Sequence, residues 1–342
     1  MTMRILSIDG GGIRGILPGE ILVSLEEKLK KESKNPDARI GDYFDLIAGT
    51  STGAILGAAY ICPNKKGKPK FSAREVANIY LEEGDDIFDV QFLQFLRTVG
   101  GIRDEKYSAH ELERVLKYYF KKIKLSELLK PTCFVSYDIK NRKQIIFRQH
   151  CAKTGSEDFL VRDLLRGSSA APTYFEAARI RPQLPFKTKY VLVDGGMVAN
   201  DPALCAYSEA IKFSGVGGIE DMVIVSLGTG KKLREYYYQE VKDFGLYGWS
   251  RPVVDIALNG NSQMTDYHLE KIASTVKGRQ YYRIEPLLFD AEKEMDSATP
   301  ENLNNLKEAG KKNADEFDSV LEEIAEILVT PNKPHEYIPY HK

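Results

Sequence analysis

No apolar run in this sequence of 342 residues approaches the roughly 20 residues that a membrane-spanning helix requires. An excess of one charge is missing too. The 48 basic and 49 acidic side chains leave a net charge of −1, and neither half of the chain is strongly basic. Nucleic acid is therefore not an expected partner, because such binding rests on neutralising many phosphates with Lys and Arg. Cysteine is scarce. Cys62, Cys133, Cys151 and Cys205 lie far apart and form no CxxC pair, which argues against a disulfide framework. With only five histidines a zinc site is not expected either, and the reading calls for no metal and no cofactor. Met1-Thr2-Met3-Arg4 runs directly into the apolar Ile5, Leu6 and Ile8, leaving no room for a leader peptide of the usual pattern. These absences predict a cytoplasmic protein in a reducing compartment.

What is present is enough to build a core. Hydrophobic residues make up 43% and charged residues 28%, the balance of a globular chain rather than a disordered one. Strand-like runs over 4–8, 43–48, 133–139, 144–148, 190–193, 222–227 and 280–284 alternate with amphipathic stretches, which predicts an α/β layered fold. A helix is expected over 18–31, with Ile21, Leu22, Leu25 and Leu29 on one face and Pro18 in the first turn, where a missing N–H costs nothing. Others are expected over 54–59 and 108–119. Asp201 is predicted to cap a further helix with Pro202 at its first position. A last helix over 315–328 repeats apolar residues at Phe317, Val320, Leu321, Ile324 and Leu328. The simplest division is one domain over 1–330 and a loose, polar tail over 331–342. Two stretches stand out by composition: 64–70 is basic, with Lys65, Lys66, Lys68 and Lys70, and 87–99 is dense in Phe, Leu and Val.

Gly49-Thr50-Ser51-Thr52-Gly53 follows an expected strand and precedes a small-residue helix. In that context G-x-S-x-G marks a tight strand–turn–helix that projects the serine, whereas alone it is an ordinary turn. Asp9-Gly10-Gly11-Gly12-Ile13-Arg14-Gly15 ends the first strand and leaves several backbone N–H groups without side-chain cover, a nest for an anion. Gly10, Gly12 and Gly15 also satisfy the dinucleotide pattern G-x-G-x-x-G. That pattern expects an acidic residue about 20 positions on, closing a second strand. Here that place holds the turn-like Lys34-Asn35-Pro36-Asp37, and Asp45 comes too late. The glycines read better as an oxyanion hole made by Gly10, Gly11 and Gly12 with Arg14 beside them. Asp194-Gly195-Gly196 closes the strand over 190–193, where an α/β sheet places catalytic groups, although a turn-capping Asp would look the same.

Ser51 needs a base, since a free hydroxyl is a weak nucleophile. His110 lies in a helical pattern beside Glu111 and Glu113, His150 follows a strand, and His335 and His341 fall in the tail. His268 alone stands in the order Ser, Asp, His that triad hydrolases show. No histidine is flanked by motif-like residues or glycines, so a dyad with Asp194 as base is the economical solution and a triad through His268 the alternative. A carboxylate base titrates nominally near pH 4, so activity is expected to persist below the pH at which a histidine-based triad fails.

Taken together, the motifs over 9–15, 49–53 and 194–196, in this order and spacing, resemble the patatin family of lipid acyl hydrolases. The similarity extends to 37–39 and 42–45 (DAR, then DYFD), 169–175 (SAAPTYF), 226–230 (SLGTG) and 264–267 (MTDY), nearly the whole chain. The resemblance implies a three-layer α/β/α fold with a mostly parallel central sheet. It also implies a Ser51–Asp194 dyad, an oxyanion hole over Gly10, Gly11, Gly12 and Arg14, and Gly15, Gly49, Thr52, Gly53, Gly195 and Gly196 in support. The implied reaction is hydrolysis of a phospholipid or other lipid ester through an acyl-enzyme, with transient contact at a membrane surface. Phe88, Phe92, Leu93, Phe95 and Leu96 either line an acyl-chain entrance or pack into the core. The lysines over 64–70 either touch anionic headgroups or form a solvated loop. Bacterial relatives include defence phospholipases switched on by cyclic nucleotides, so a ligand-gated effector is the alternative in function, and a storage role is a third.

Overall fold

The computed structural model describes residues 2–87, 109–230 and 235–339. Among them the apolar runs form eight strands of one sheet: β1 Met3–Ile8, β2 Leu46–Thr50, β3 Thr132–Asp138, β4 Lys143–Phe147, β5 Ala178–Ile180, β6 Tyr190–Asp194, β7 Met222–Leu227 and β8 Tyr281–Ile284. β8, β7, β1, β2 and β3 run parallel in that order. β4 and β6 are antiparallel to β3, and β5 is antiparallel to β6. Every residue of β1, β2 and β7 is buried, because parallel strands are covered on both faces.

Successive side chains of these strands enter different cores. Leu6, Ile8, Ile47, Val223 and Val225 face one side, while Ile5, Leu46, Ala48, Met222 and Ile224 face the other. The first side is covered by α1 Ile16–Ser33, α2 Thr52–Tyr60, α3 Ala73–Ile87, α4 Ala109–Phe120 and α5 Val161–Ser168. The second is covered by α6 Ala203–Ala210 and the end of α7 Leu246–Ala273, through Leu269 and Ile272. Two further helices, α8 Pro300–Glu316 and α9 Asp318–Val329, pack on α1. The fold is the expected α/β/α sandwich around a mostly parallel sheet.

One register positions the site. β4 pairs with residues 134–138 of β3 and so occupies one edge of that strand. The other edge is shared. β2 runs along it as far as Thr50, opposite Val135, and β6 approaches from the opposite direction and ends at Asp194, opposite Ser136. β2 and β6 therefore meet end to end along β3. The residue after Thr50 is Ser51, so adjacent positions of β3 bring two residues far apart in sequence to the same junction.

Several elements depart from expectation. The run over 43–48 is a short helix, Ile40–Tyr43, followed by β2. Asp42 accepts the Arg39 N–H and caps that helix, and Asp45 accepts the Arg4 N–H (2.9 Å), so the strand begins only at Leu46. Pro18 is the third residue of α1, still within the first turn, whose N–H groups lack partners. β5 went unread because three residues carry no period. α8 was hidden by its polar composition. It starts on a Thr299 cap with Pro300 behind it, and packs through Leu303, Leu306, Ala309 and Ala314. The expected helix over 315–328 is therefore the end of α8, a break at Phe317 and α9. The stretch after Pro331 is not loose as far as it is described. Glu336 and Ile338 exchange backbone hydrogen bonds with Ser214 and Lys212, and the Tyr337 ring packs on His150 at 4.6 Å.

Candidate active site

The G-x-S-x-G turn folds as its composition requires. Ser51 takes φ 54° and ψ −122°, a strained conformation for a residue with a side chain, and α2 begins at the next residue, Thr52. Gly49 sits in β2. A Cβ on Gly53 would come within 2.0 Å of the Ile8 carbonyl oxygen, so no larger residue fits where α2 crosses the end of β1. The Ser51 N–H donates to Ser168 Oγ (3.0 Å), which itself donates to the Val135 carbonyl (2.6 Å). The Thr52 hydroxyl donates to Tyr80 Oη (2.6 Å), and Gly15 lies against the Thr52 side chain. The elbow is thus tied to β3 on one side and to α3 on the other.

Asp194 is buried at the end of β6. Its Oδ1 accepts the Gly196 N–H (2.7 Å), and the Gly195 N–H is taken by the Ser168 carbonyl (3.2 Å). Burial raises the Asp194 carboxyl to about 6, against the opposing hydrogen bonds of the Gly196 N–H and the Ser51 hydroxyl. This revises the expected pH behaviour. A carboxyl titrating near 6 overlaps the range of histidine, so with Asp194 as the expected base a pH profile would not separate a dyad from a triad.

The glycine loop is held by its carbonyls. The Gly10 carbonyl accepts from Thr229 Oγ1 (2.8 Å), and the Gly11 carbonyl accepts from the Arg14 backbone N–H (3.2 Å) and from Arg14 Nε (3.5 Å). In a trans peptide the N–H points opposite to the C=O, so pinning these two carbonyls turns the Gly11 and Gly12 N–H groups the other way. Both glycines line the cleft that contains Ser51 and Asp194. Gly12 sits at φ 59° against the Met295 carbonyl, and only a glycine tolerates both. Two parts of the sequence reading change here. The Gly10 N–H is already donated to the Asn200 carbonyl (3.1 Å), so it is not an available donor. Arg14 does not line that cleft, and its Nη1 donates to the Gly230 carbonyl (3.3 Å) as its Nε does to Gly11.

Ser168, Thr229 and Asn200 hold the elbow and the glycine loop, and sequence reasoning missed them. Ser226–Gly230 and Ser169–Phe175 were visible as family-like segments, but no local signal assigns Thr229 to a carbonyl more than 200 residues away. Asp201 accepts the Ala203 N–H (2.9 Å), but α6 begins at Ala203, so Pro202 stands in the cap position and not at the first helical position as expected. Asp201 is also fully buried and joined to Ser7, Ser226 and Arg283 (3.3, 3.2 and 3.2 Å). Arg283 grips Asp9, the first residue of the glycine motif, through two bonds of 2.9 and 2.8 Å. The glycine loop is therefore anchored from below by a buried ionic network.

The cleft around Ser51 has a volume of about 920 Å³, open space at its mouth included, and its walls are almost wholly apolar, with Ile55, Ile79, Leu112, Leu116, Phe175 and Leu258 among them. None of the described histidines lines it. His268 is exposed on α7 beside Tyr267, and His110 is exposed on α4. His150 is buried near Glu209, below the end of β4. Phe88, Phe92, Leu93, Phe95 and Leu96 lie outside the described residues. The stretch over 64–70 is a surface turn in which Asn64 Oδ1 accepts the Lys66 and Lys68 N–H groups, and Lys70 reaches the Tyr119 carbonyl. Among the described residues no group of acidic, histidine and cysteine side chains could hold a metal ion.

A strained serine elbow, a buried carboxyl at the adjoining strand end and a pinned glycine loop over an apolar cleft suit an acyl hydrolase. Known proteins agree with that class. The patatin-like phospholipase family matches residues 6–207. The chain is 35% identical over 335 residues to patatin-like protein 2 of Arabidopsis thaliana, with 90% of this chain and 82% of that one covered. It is 32% identical over 358 residues to patatin group J-1 of Solanum tuberosum, with 97% and 91% covered. It is likewise 32% identical over 342 residues to patatin-like protein 2 of Oryza sativa subsp. indica, with 90% and 83% covered. The chain belongs to the patatin-like phospholipase family, and it is a lipid ester hydrolase.

Proposed function

We propose that this protein hydrolyses lipid acyl esters through a Ser51–Asp194 dyad and an acyl-enzyme. The observation that carries the reading is the β3 register, which sets Thr50 and Asp194 against consecutive residues, Val135 and Ser136. Asp194 takes the Ser51 Oγ proton as Oγ bonds to the acyl carbon. The oxyanion that forms accepts the Gly11 and Gly12 N–H groups, each contributing about 3–4 kcal/mol in comparable sites. The tetrahedral species collapses, the carbon–oxygen bond to the alcohol breaks, and the alcohol leaves with the proton held by Asp194. Water then repeats the sequence on the acyl-enzyme, with Asp194 again accepting a proton, and releases the fatty acid. The apolar cleft receives the acyl chain. Contact with a membrane is transient, since among the described residues no helix is long and apolar enough to cross one.

The test is hydrolysis of a medium-chain p-nitrophenyl ester by wild type, Ser51→Ala, Asp194→Asn and His268→Ala, each confirmed folded by circular dichroism. Loss of roughly a thousandfold or more in the first two variants, with His268→Ala active, is expected for a dyad. An active Ser51→Ala overturns the mechanism, and an inactive His268→Ala restores the triad.

A further inference from the structure

α7 has two faces of different use. Val254 and Leu258 turn inward and line the Ser51 cleft, and Leu269 enters the core beneath the sheet. The outward face carries Trp249, Val253, Ile256, Met264 and Tyr267, which are between 37% and 54% exposed. Their steps of three and four residues, with Gly260 in the gap between Ile256 and Met264, keep them on one stripe of the helix. A Cβ on Gly260 would meet nothing within 4 Å, so the stripe is open at its middle. From Gly248 to Ser262, the described side chains of this helix that are exposed are all apolar. The pattern continues on the short helix Gly196–Ala199, which packs on α7: Met197 lines the cleft and its neighbour Val198 is exposed. Tyr237 and Tyr238, shortly before α7 in the chain, are exposed as well.

We propose that the outer stripe of α7, from Trp249 to Tyr267, is the surface on which this protein lies against a lipid bilayer. Exposed apolar area arranged in this way marks an interaction surface. A helix with one apolar stripe and aromatic side chains on it suits the plane of a membrane interface, where Trp and Tyr rings settle at headgroup level. The occupant is a lipid surface because the stripe and the cleft wall are two sides of one helix. The inference rests on the reading of the protein as a lipid hydrolase and adds where the lipid is met.

Trp249 is the single tryptophan of the chain, so intrinsic fluorescence reports on the stripe directly. Wild type is mixed with phosphatidylcholine vesicles, with and without brominated acyl chains. Val253→Asp and Ile256→Asp are compared with it in vesicle sedimentation, in hydrolysis of vesicle lipid and in hydrolysis of a water-soluble short-chain ester. The expected result is a blue shift of Trp249 emission, quenching by the brominated lipid, and a loss of vesicle binding of roughly tenfold or more in each variant. Vesicle hydrolysis should fall in parallel, and turnover of the soluble ester should stay at the wild-type level. Emission that does not respond to vesicles the protein sediments with or hydrolyses overturns the proposal. So does a blue shift that follows protein concentration without lipid, which makes the stripe a contact between copies. If wild type fails on the soluble ester, the Ser51 reading is what fails, and the fluorescence and sedimentation results still decide the docking surface.

Discussion

Burial raises the Asp194 carboxyl to about 6, and at the scale of single residues this has consequences for both rate and stability. In the proposed dyad the base must be ionised to take a proton, so kcat/KM for ester hydrolysis is expected to fall below about pH 6 and not below pH 4. A pH–rate series on a soluble ester checks this. Stability moves the other way. The folded state holds its Asp194 proton more tightly than the unfolded chain, so folding is progressively penalised as pH rises from about 4 to about 6, and the full penalty remains above that range. Asp194→Asn keeps an acceptor for the Gly196 N–H and removes the charge. It should be inactive yet more stable than wild type at about pH 8, by an upper limit of roughly 3 kcal/mol, with the gain vanishing near pH 4. Denaturant melts at the two pH values measure the difference. Thr229 acts on the other half of the site, through the Gly10 carbonyl. Thr229→Val preserves shape but frees that peptide, so kcat should fall roughly tenfold to a hundredfold with KM little changed. An unaltered kcat would show that the loop holds its shape without that bond.

At the scale of elements, the elbow and the glycine loop were legible because their requirements are local. A serine between glycines at a strand-to-helix turn can be read from five residues, and so can a strand such as β7, whose observed bounds are the expected ones. The shift of β2 was not legible, because the Asp45 side chain is committed to the Arg4 backbone, on the neighbouring strand. Nor was α8, whose buried face mixes Leu303, Leu306, Ala309, Gly310 and Ala314 with the polar Asn302 and Asn313. α2 crosses β1 at Gly53, with no room for a side chain. Gly53→Ala places a methyl group 2.0 Å from the Ile8 carbonyl oxygen, and the backbone must move. Destabilisation by roughly 1–3 kcal/mol or more is expected, together with loss of ester hydrolysis because the Ser51 turn shifts with it. Thermal unfolding and the soluble-ester assay would detect both, and a variant with wild-type activity would mean the crossing is looser than drawn.

The whole molecule is tied together by Arg283. From β8 it reaches Asp9 at the end of β1, Asp201 before α6 and Glu285 just beyond its own strand, at 2.6–3.2 Å. Asp9 and Asp201 are almost completely buried. Arg283→Ala leaves them facing each other without a counter-charge, and breaking such a pair costs about 3–5 kcal/mol. The variant should therefore unfold at lower denaturant, and part of the loss should return at acidic pH, where the stranded carboxyls take up protons. Equilibrium unfolding across pH tests this, and a pH-independent loss would assign the effect to packing alone.

By itself the sequence determined the family and the layered fold, and it singled out the serine and the carboxylate proposed as the dyad, because these reside in short motifs whose glycines and strand ends have few conformational options. Only the tertiary structure decided how Ser51 and Asp194 meet, since that depends on β2 and β6 sharing one edge of β3. It also decided which glycines keep a free N–H, because the Gly10 donor is taken by Asn200 from a distant turn. It set the Asp194 carboxyl near 6 in place of 4, because a pKa follows burial, and burial belongs to the assembled cleft. And it placed an apolar stripe outside the same helix that walls the cleft, which no count of hydrophobic residues in one segment could distinguish from core.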